Sequence, residues 1–204
     1  MIHLPRLYAI LDTSCFPDSQ ALFSAAEELW AGGVTLLQYR NKNGNAREML
    51  EQASELKRRL GGSVKLIMND RADLCLASGF DGVHVGQEDL SAEGARKVIG
   101  EKRWLGVSTH NPEQVQEAGK TSADYVAIGP VFSTTSKASA DPVIGLEGVR
   151  NARAWTRKPL IAIGGINRAN CRAVIEAGAD SVAVISDLMQ EPRKSAEDFL
   201  RIIR

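Results

Sequence analysis

The feature that most constrains the fold is a regular alternation of short apolar runs with longer amphipathic segments. Eight apolar runs occur, at residues 7–11, 34–38, 65–69, 82–86, 104–108, 125–131, 159–165 and 181–186. These runs are almost continuously apolar, which is typical of strands buried on both faces of a parallel sheet. The intervening segments have helical periodicity: residues 19–31 place their apolar side chains on one face and stop at Gly32-Gly33, and residues 45–60 repeat this design.

Three helix-to-strand connections share one phrase, ASGFDGVHV (77–85), KTSADYVAI (120–128) and EAGADSVAV (176–184). Each combines a helix end, a turn of small residues with an Asp, and a buried strand, which indicates one repeated architecture rather than two domains. Alternating β and α units with right-handed crossovers predict a (β/α)8 TIM barrel, an α/β fold, as a single domain over residues 1–204. The main competitor is an open doubly wound sheet, but no G-x-G-x-x-G motif follows the first run.

The composition argues against several classes of function. Lys and Arg number 25, as do Asp and Glu, so the net charge is zero and no nucleic-acid partner is expected. No apolar run approaches the length of a membrane span and no signal-like segment opens the chain, so no membrane partner is expected. Cys15, Cys75 and Cys171 form no metal-binding cluster, and we interpret them as reduced thiols of a cytoplasmic protein. Assembly into a homo-oligomer is left open.

Polar residues collect where the predicted strands end, and this end of a barrel carries the chemistry. They are Gln38, Arg40 and Lys42 after the second run, Asn69 and Asp70 after the third, Ser108 after the fifth, residues 132–137 after the sixth, and Gly164-Gly165 and Ile185-Ser186 after the last two. Because successive strand residues point to opposite faces, we expect Gln38 and Arg40 to face the mouth and Tyr39 to face the helices.

The charges at these strand ends predict two anion sites. Asp70 and Asp89 follow neighbouring runs, and two carboxylates suit Mg²⁺, which also accepts water and phosphate oxygens as ligands. Three cations, Arg40, Lys42 and Lys137, lie on separate loops and would face an anion, so the first predicted site binds a diphosphate and a metal. The glycines at 164–165 and the backbone at 185–186 predict a second site, for a monophosphate.

Two histidines are left with alternative interpretations. His84 is in phase with Gly82 and Gly86 on an apolar run, and it is either a satisfied core histidine or a substrate contact. His110 follows the fifth run, and we favour loop structure or helix capping for it.

Several motifs, in order and over nearly the full chain, resemble the thiamine-phosphate synthase family: QYRNK, NDRADLCLASGFDGVHVGQEDL, GVSTHNPEQV, YVAIGPVFSTTSK, GLEGVR and AIGGINRAN…AGADSVAVIS. The resemblance implies a (β/α)8 enzyme that joins a hydroxymethylpyrimidine diphosphate to a thiazole phosphate and releases diphosphate. Its implied small-molecule contacts are Gln38, Arg40, Lys42, Asn69, Ser108 and Lys137 for the pyrimidine diphosphate, and Thr134, Thr135, Ser136, Gly165, Ile185 and Ser186 for the thiazole phosphate. It also implies Mg²⁺ as cofactor, with Asp70 and Asp89 as its ligands.

The implied binding segment covers residues 38–42 and so includes Tyr39 and Asn41, although strand alternation directs Tyr39 to the helices. The implied catalytic residues are Arg40, Lys42, Ser108 and Lys137, in a dissociative substitution that stabilises the leaving diphosphate. One departure is that Ser133, Thr135 and Ser136 stand where the family commonly has Pro and Thr.

Three alternative functions are weighed against this one. The first is a thiazole tautomerase of the same barrel family, which transfers nothing. The second is a barrel that binds thiamine precursors or a partner protein without turnover. The third is a phosphate-sugar isomerase, which would explain Gly165 but leave Asp70 and Asp89 unexplained.

Overall fold

The computed structural model describes residues 2–134 and 141–204, and its strands close into one parallel barrel. Each strand pairs with the next along the chain, and the eighth pairs with the first. The strands are β1 Leu7–Asp12, β2 Leu36–Arg40, β3 Lys65–Asn69, β4 Gly82–Val85, β5 Trp104–Thr109, β6 Tyr125–Ile128, β7 Leu160–Ile163 and β8 Ser181–Val184. The predicted (β/α)8 barrel is confirmed.

A helix follows each strand and packs on the outside of the barrel. The helices are α1 Ser19–Ala31, α2 Ala46–Leu60, α3 Ala72–Ala77, α4 Ala92–Ile99, α5 Pro112–Lys120, α6 Gly145–Trp155, α7 Cys171–Glu176 and α8 Pro192–Ile202. Two short 3-10 turns, Thr13–Cys15 and Ser186–Leu188, follow β1 and β8. Within residues 2–134 and 141–204, no helix combines the length and the apolar character needed to cross a membrane.

The helix starts follow from local capping chemistry. The Asp18 carboxylate accepts a hydrogen bond from Ala21 N at 2.8 Å, and the Asn45 side chain accepts one from Glu48 N at 3.0 Å. Such caps satisfy backbone donors that no helical carbonyl reaches. The predicted range 19–31 is confirmed for α1, and Asn45, which the prediction placed inside α2, is its cap.

Strand alternation separates the core into two layers. The inner layer fills the barrel with Leu4, Tyr8, Ile10, Leu36, Ile67, Tyr125, Ala127, Ile161 and Ala183. The outer layer lies between the strands and the helices, and it contains Leu37 and Tyr39. Adjacent residues of β2 therefore belong to opposite layers, as the alternation predicted.

The three recurring phrases close the amino end of the barrel with one repeated contact, made by Asp81, Asp124 and Asp180, the clamp aspartates. Each accepts a hydrogen bond from a backbone N–H of the preceding odd-numbered strand, with distances of 3.0, 2.8 and 2.8 Å to Leu66, Leu105 and Leu160. Each also pairs with a cation of the helix before that strand, with distances of 3.1, 2.7 and 2.8 Å to Lys57, Arg96 and Arg153. One carboxylate thus ties a helix and two strands together at every second unit.

Candidate active site

The carboxyl ends of the strands bring the predicted polar residues to one mouth of the barrel. In the parallel register Gln38 of β2 lies beside Ile67 of β3, and Asn69 of β3 lies beside His84 of β4. Ser108 is the next-to-last residue of β5. Segments that are far apart in the sequence therefore meet at a single rim, where barrel enzymes carry their chemistry.

Arg40 pairs at this rim with Asp12, a residue that the sequence analysis did not single out. Asp12 ends β1 directly beside Arg40, and its carboxylate accepts a hydrogen bond from Arg40 Nη1. The other carboxylate oxygen accepts hydrogen bonds from Ser14 N at 3.0 Å and Ser14 Oγ at 2.7 Å. Asp12 therefore fixes the guanidinium at the rim, and the remaining N–H groups of Arg40 have no partner in the described part of the chain.

Lys42 and the two predicted metal ligands form the charged side of the mouth. Lys42 Nζ lies 2.5 Å from Asp70 Oδ2, and Asp89 Oδ2 accepts a hydrogen bond from Gly86 N at 2.8 Å. Burial raises the pKa of the Asp70 carboxyl, the Lys42 ammonium lowers it, and the neighbouring Asp89 carboxylate raises it further. The Asp70 and Asp89 carboxylates are close enough to interact directly. They repel each other, and a cation bound between them would be favoured.

The backbone at Asp70 is held in a sparsely populated conformation. Its φ of 62° lies in the left-handed region, which Asp and Asn tolerate better than most other non-glycine residues. The Asp70 N–H donates to the His84 carbonyl at 2.8 Å, which anchors this turn to β4. A strained residue held by its surroundings is typical of functional sites.

A chain of hydrogen bonds crosses the inside of the barrel below the mouth. This polar chain links the side chains of Gln38, Tyr8, Tyr125, His84 and Ser108, in that order, over distances of 2.8, 3.2, 3.2 and 2.9 Å. Burial lowers the pKa of His84 to about 4, so its imidazole is neutral at pH 7. His84 is therefore a buried histidine with both ring nitrogens paired, one of them to a predicted site residue.

Tyr8 and Tyr125 were not singled out from the sequence. Tyr8 is the second residue of the first apolar run, and Tyr125 is the first residue of the sixth. Strand alternation could have found them, because Tyr8 is in phase with Ile10 and Tyr125 is in phase with Ala127 on the inner face. Two buried phenols inside a barrel require hydrogen-bond partners, and that requirement points to a polar site above them.

Two residues of the implied binding segment 38–42, Tyr39 and Asn41, have their side chains hydrogen-bonded within the protein. Tyr39 is fully buried in the outer layer, where its hydroxyl donates to Gln52 Oε1 at 2.5 Å. The Asn41 side chain contacts the same Gln52 oxygen and accepts hydrogen bonds from the backbone N–H groups of Asn43 and Gly44. Both side chains are therefore used in hydrogen bonds that shape the loop after β2, and substrate binding by these two residues stays a prediction.

The first residues predicted to bind a phosphate lie where the chain turns after β7. Gly165 has a φ of 63°, and a Cβ there would lie 2.5 Å from the Ser133 carbonyl oxygen. Only glycine fits this close approach, which sets the turn against the segment that leads to Thr134. Ile185 precedes a 3-10 turn that begins at Ser186. Thr135, Ser136 and Lys137 lie outside the described residues.

His110 has the structural role that the sequence favoured. Its backbone N–H donates to Gln114 Oε1 at 2.7 Å, and its Nδ1 lies 2.6 Å from the Gly129 carbonyl oxygen. The first contact joins the loop after β5 to α5, and the second joins it to the residue that follows β6.

The donor set at the mouth fits a magnesium ion. Over residues 2–134 and 141–204, no group of three or more His, Cys, Asp or Glu side chains forms a metal cage. Mg²⁺ does not require such a cage, because it keeps several waters and takes one or two carboxylates together with substrate phosphate oxygens. The Asp70–Asp89 pair provides this number of carboxylates.

The barrel, with cations and paired carboxylates at its mouth and a glycine turn beside them, defines the class of (β/α)8 enzymes that act on phosphorylated substrates. The sequence profile of the family described as thiamine monophosphate synthase matches residues 7–188. The chain belongs to this family.

Individual relatives agree with that assignment. The chain is 60% identical over 205 residues to a thiamine-phosphate synthase of Koribacter versatilis, covering 99% of this chain and 97% of the relative. It is 45% identical over 184 residues to that of Chloroflexus aurantiacus, covering 89% and 83%. A thiamine phosphate pyrophosphorylase structure from Pyrococcus furiosus superposes with a TM-score of 0.87 at 36% identity, covering 97% and 95%. The predicted family, and with it the predicted transferase class, are confirmed.

Proposed function

We propose that this enzyme joins 4-amino-2-methyl-5-hydroxymethylpyrimidine diphosphate to a thiazole phosphate, giving thiamine phosphate and diphosphate. The charge arrangement at the mouth carries the proposal, because Lys42 pairs with Asp70 of the Asp70–Asp89 carboxylate pair, while Arg40 is held by Asp12 at the same rim. A diphosphate with a bound divalent cation complements both signs at once. Each unit-charge pair at about 4 Å contributes on the order of 4 kcal/mol at an effective dielectric near 20, before desolvation.

In the proposed reaction the bond between the methylene carbon and the diphosphate oxygen breaks, and diphosphate leaves with the electron pair. The aminopyrimidine ring stabilises the resulting methylene cation, and the thiazole nitrogen donates its lone pair to form the new C–N bond. Arg40, Lys42 and Lys137 stabilise the charge on the departing diphosphate. Gln38, Asn69 and Ser108 orient the pyrimidine ring.

Gln38 and Asn69 have polar atoms that are free to bind the pyrimidine ring, which supports their proposed role in orienting it. The Asn69 side chain and Gln38 Oε1 have no hydrogen-bond partner within the described ranges, and neither is among the fully buried unpaired polar atoms. Both residues are otherwise buried and belong to strands that end at the mouth, so we propose that these atoms bind the pyrimidine there.

We propose Mg²⁺ as the cofactor, held by Asp70 and Asp89. When bound, it would neutralise charge on the diphosphate oxygens. The chain's own part is to keep two carboxylates close together against their repulsion, which Lys42 does for Asp70 and the Gly86 N–H does for Asp89.

The thiazole phosphate is proposed to bind the backbone at Gly165, Ile185 and Ser186 with the hydroxyls of residues 134–136. The three unpaired cysteines support a reducing, cytoplasmic location. Assembly into a homo-oligomer stays a prediction. A thiazole tautomerase is the less favoured alternative, because it releases no diphosphate and would not need the Asp70–Asp89 pair.

The experiment is an assay of diphosphate release with the pyrimidine diphosphate and the thiazole phosphate, each alone and together, with Mg²⁺ or with EDTA. We expect thiamine phosphate and diphosphate in equal amounts only with both substrates and Mg²⁺. Isomerisation of a thiazole carboxylate phosphate without diphosphate release would favour the tautomerase instead.

A further inference from the structure

We infer that Tyr8, Tyr125 and His84 are positioning residues that transmit the hydrogen-bond direction of the polar chain from Gln38 to Ser108. In this direction Gln38 presents a hydrogen-bond acceptor to the pyrimidine and Ser108 presents a donor. The inference rests on the proposed function and deepens it, because it names which pattern of ring substituents the site accepts.

The direction begins at Gln38, whose amide nitrogen donates to the Tyr8 hydroxyl. The Tyr8 hydroxyl has one proton and, among the described residues, only the Tyr125 hydroxyl at 3.2 Å to receive it; because an unpaired buried proton is costly, Tyr8 donates to Tyr125. Tyr125 in turn donates its own proton to His84 Nδ1, also at 3.2 Å. All three side chains are buried, so no solvent competes for these protons.

The direction is completed at His84. An imidazole that accepts at Nδ1 has no proton on that nitrogen, so its one ring N–H is on Nε2. That proton is donated to Ser108 Oγ at 2.9 Å, so the Ser108 proton is not used within the chain. Ser108 is half-buried at the mouth, and Gln87 Nε2 holds its backbone carbonyl.

The two ends of the polar chain therefore present opposite hydrogen-bonding groups to the substrate. Gln38 Oε1, whose amide nitrogen is occupied, accepts; the Ser108 hydroxyl donates. An aminopyrimidine matches this pattern, with its exocyclic amine as donor and a ring nitrogen as acceptor. The corresponding 4-oxo pyrimidine reverses the pattern and leaves buried polar atoms unpaired, which is the strongest basis for rejecting a near-isostere.

The test is the protonation of the His84 ring, measured by NMR of the ring nitrogens in histidine-labelled enzyme at pH 7. The His84→Gln variant assigns the signal among the 3 histidines. We expect the proton on Nε2 in the native enzyme. In Gln38→Glu, whose carboxylate only accepts, we expect the chain to reverse and the proton to move to Nδ1. Protonation at Nδ1 in the native enzyme, or an unchanged tautomer in Gln38→Glu, would overturn the inference.

A kinetic double-mutant cycle supplies the second measurement. Ser108→Ala is expected to lower kcat/KM roughly 10-fold in the native background but less than about 3-fold in Tyr125→Phe, where Ser108 is already misdirected. The control background is Thr109→Val, which removes a buried hydroxyl bond to Ala127 O on the opposite face of β5. Additive effects in Tyr125→Phe would contradict the inference. Should Tyr125→Phe fail to fold, the ring-nitrogen measurement decides the inference by itself.

The two measurements separate this inference from the proposed function. The ring-nitrogen signal needs no substrate, so it reports the direction of the polar chain whether or not thiamine phosphate forms. A chain with the expected direction and no diphosphate release would leave the inference on hydrogen-bond direction standing and remove the proposed function.

Discussion

The two ends of the barrel use the same residue types in opposite ways. At the amino end, each clamp aspartate is satisfied by a backbone N–H and a helix cation. At the carboxyl end, Asp70 and Asp89 face each other, and the raised pKa of Asp70 reflects both its burial and that neighbour. At the amino end, each carboxylate is neutralised by a cation of the fold. At the mouth, the Asp70–Asp89 pair carries negative charge that a bound cation would neutralise.

This difference shows how one repeated unit serves both stability and function. A carboxylate that is fully paired stabilises the fold and has nothing left for a ligand. A carboxylate pair that is held together by a turn and a loop costs stability and gains a binding site. Substitutions at the two ends should therefore separate activity from stability.

The largest effect is expected from Asp89→Asn. The amide oxygen still accepts from Gly86 N, while the charge opposite Asp70 is lost. Turnover should fall on the order of 1000-fold, because the cation that would neutralise the departing diphosphate loses a proposed ligand. The melting temperature should be unchanged or higher, because one of two repelling charges is removed. Steady-state kinetics and thermal melting measure the two quantities. Near-native turnover would remove Asp89 from the diphosphate site.

Asp124→Ala tests the amino end. It leaves the Arg96 guanidinium, whose side chain is only 8% exposed, without its carboxylate, and it removes the acceptor for Leu105 N. The free energy of unfolding should fall by about 3 kcal/mol, with kcat/KM unchanged below the transition. Asp81→Ala is the matched control and should cost less, because its partner Lys57 is 30% exposed. A large fall in kcat/KM for Asp124→Ala would break the comparison.

His84 makes the free energy of unfolding depend on pH. Its pKa of about 4 in the fold lies below the unfolded value of about 6.5, so the stabilisation is present above pH 6.5 and is lost as the pH falls towards 4. Between pH 7 and pH 5 the His84 contribution should fall by about 2 kcal/mol. Urea unfolding of native enzyme and His84→Gln at both pH values measures it, and equal pH slopes would contradict the buried, neutral histidine.

The smallest effect concerns the backbone at Asp70. Because φ is 62°, Asp70→Ala should unfold about 1 kcal/mol more easily than Asp70→Gly, which adopts this conformation freely. Both variants lack the carboxylate, so the comparison isolates the backbone. Equal midpoints in urea unfolding would show that the turn relaxes when the carboxylate is removed.

The sequence predicted most of the barrel because its signals are local. The apolar runs, the Gly stops and the repeated Asp phrase each lie within a few residues, and the phrase turned out to be the clamp. The bounds of β2 were less accurate: the prediction ended it at Gln38, whereas it runs from Leu36 to Arg40. Its end depends on pairing with β1, where Asp12 lies beside Arg40.

The site was less predictable because its contacts cross the barrel. Asp12, Tyr8 and Tyr125 gain their roles from neighbours 28 to 117 residues away, which no local pattern reveals. His84 had two interpretations until the register placed it beside Ser108's strand. Tyr39 was correctly directed to the helices by alternation, whereas substrate binding by segment 38–42 stays a prediction.

The central claim is that the mouth binds a diphosphate together with a divalent cation. The most direct measurement is the melting temperature of native enzyme, Asp89→Asn and Asp81→Ala with diphosphate, with Mg²⁺, and with both. A ligand that binds only the folded state raises this temperature. We predict a rise in native enzyme and Asp81→Ala that requires both additions and is absent in Asp89→Asn. An equal rise in Asp89→Asn would contradict the claim.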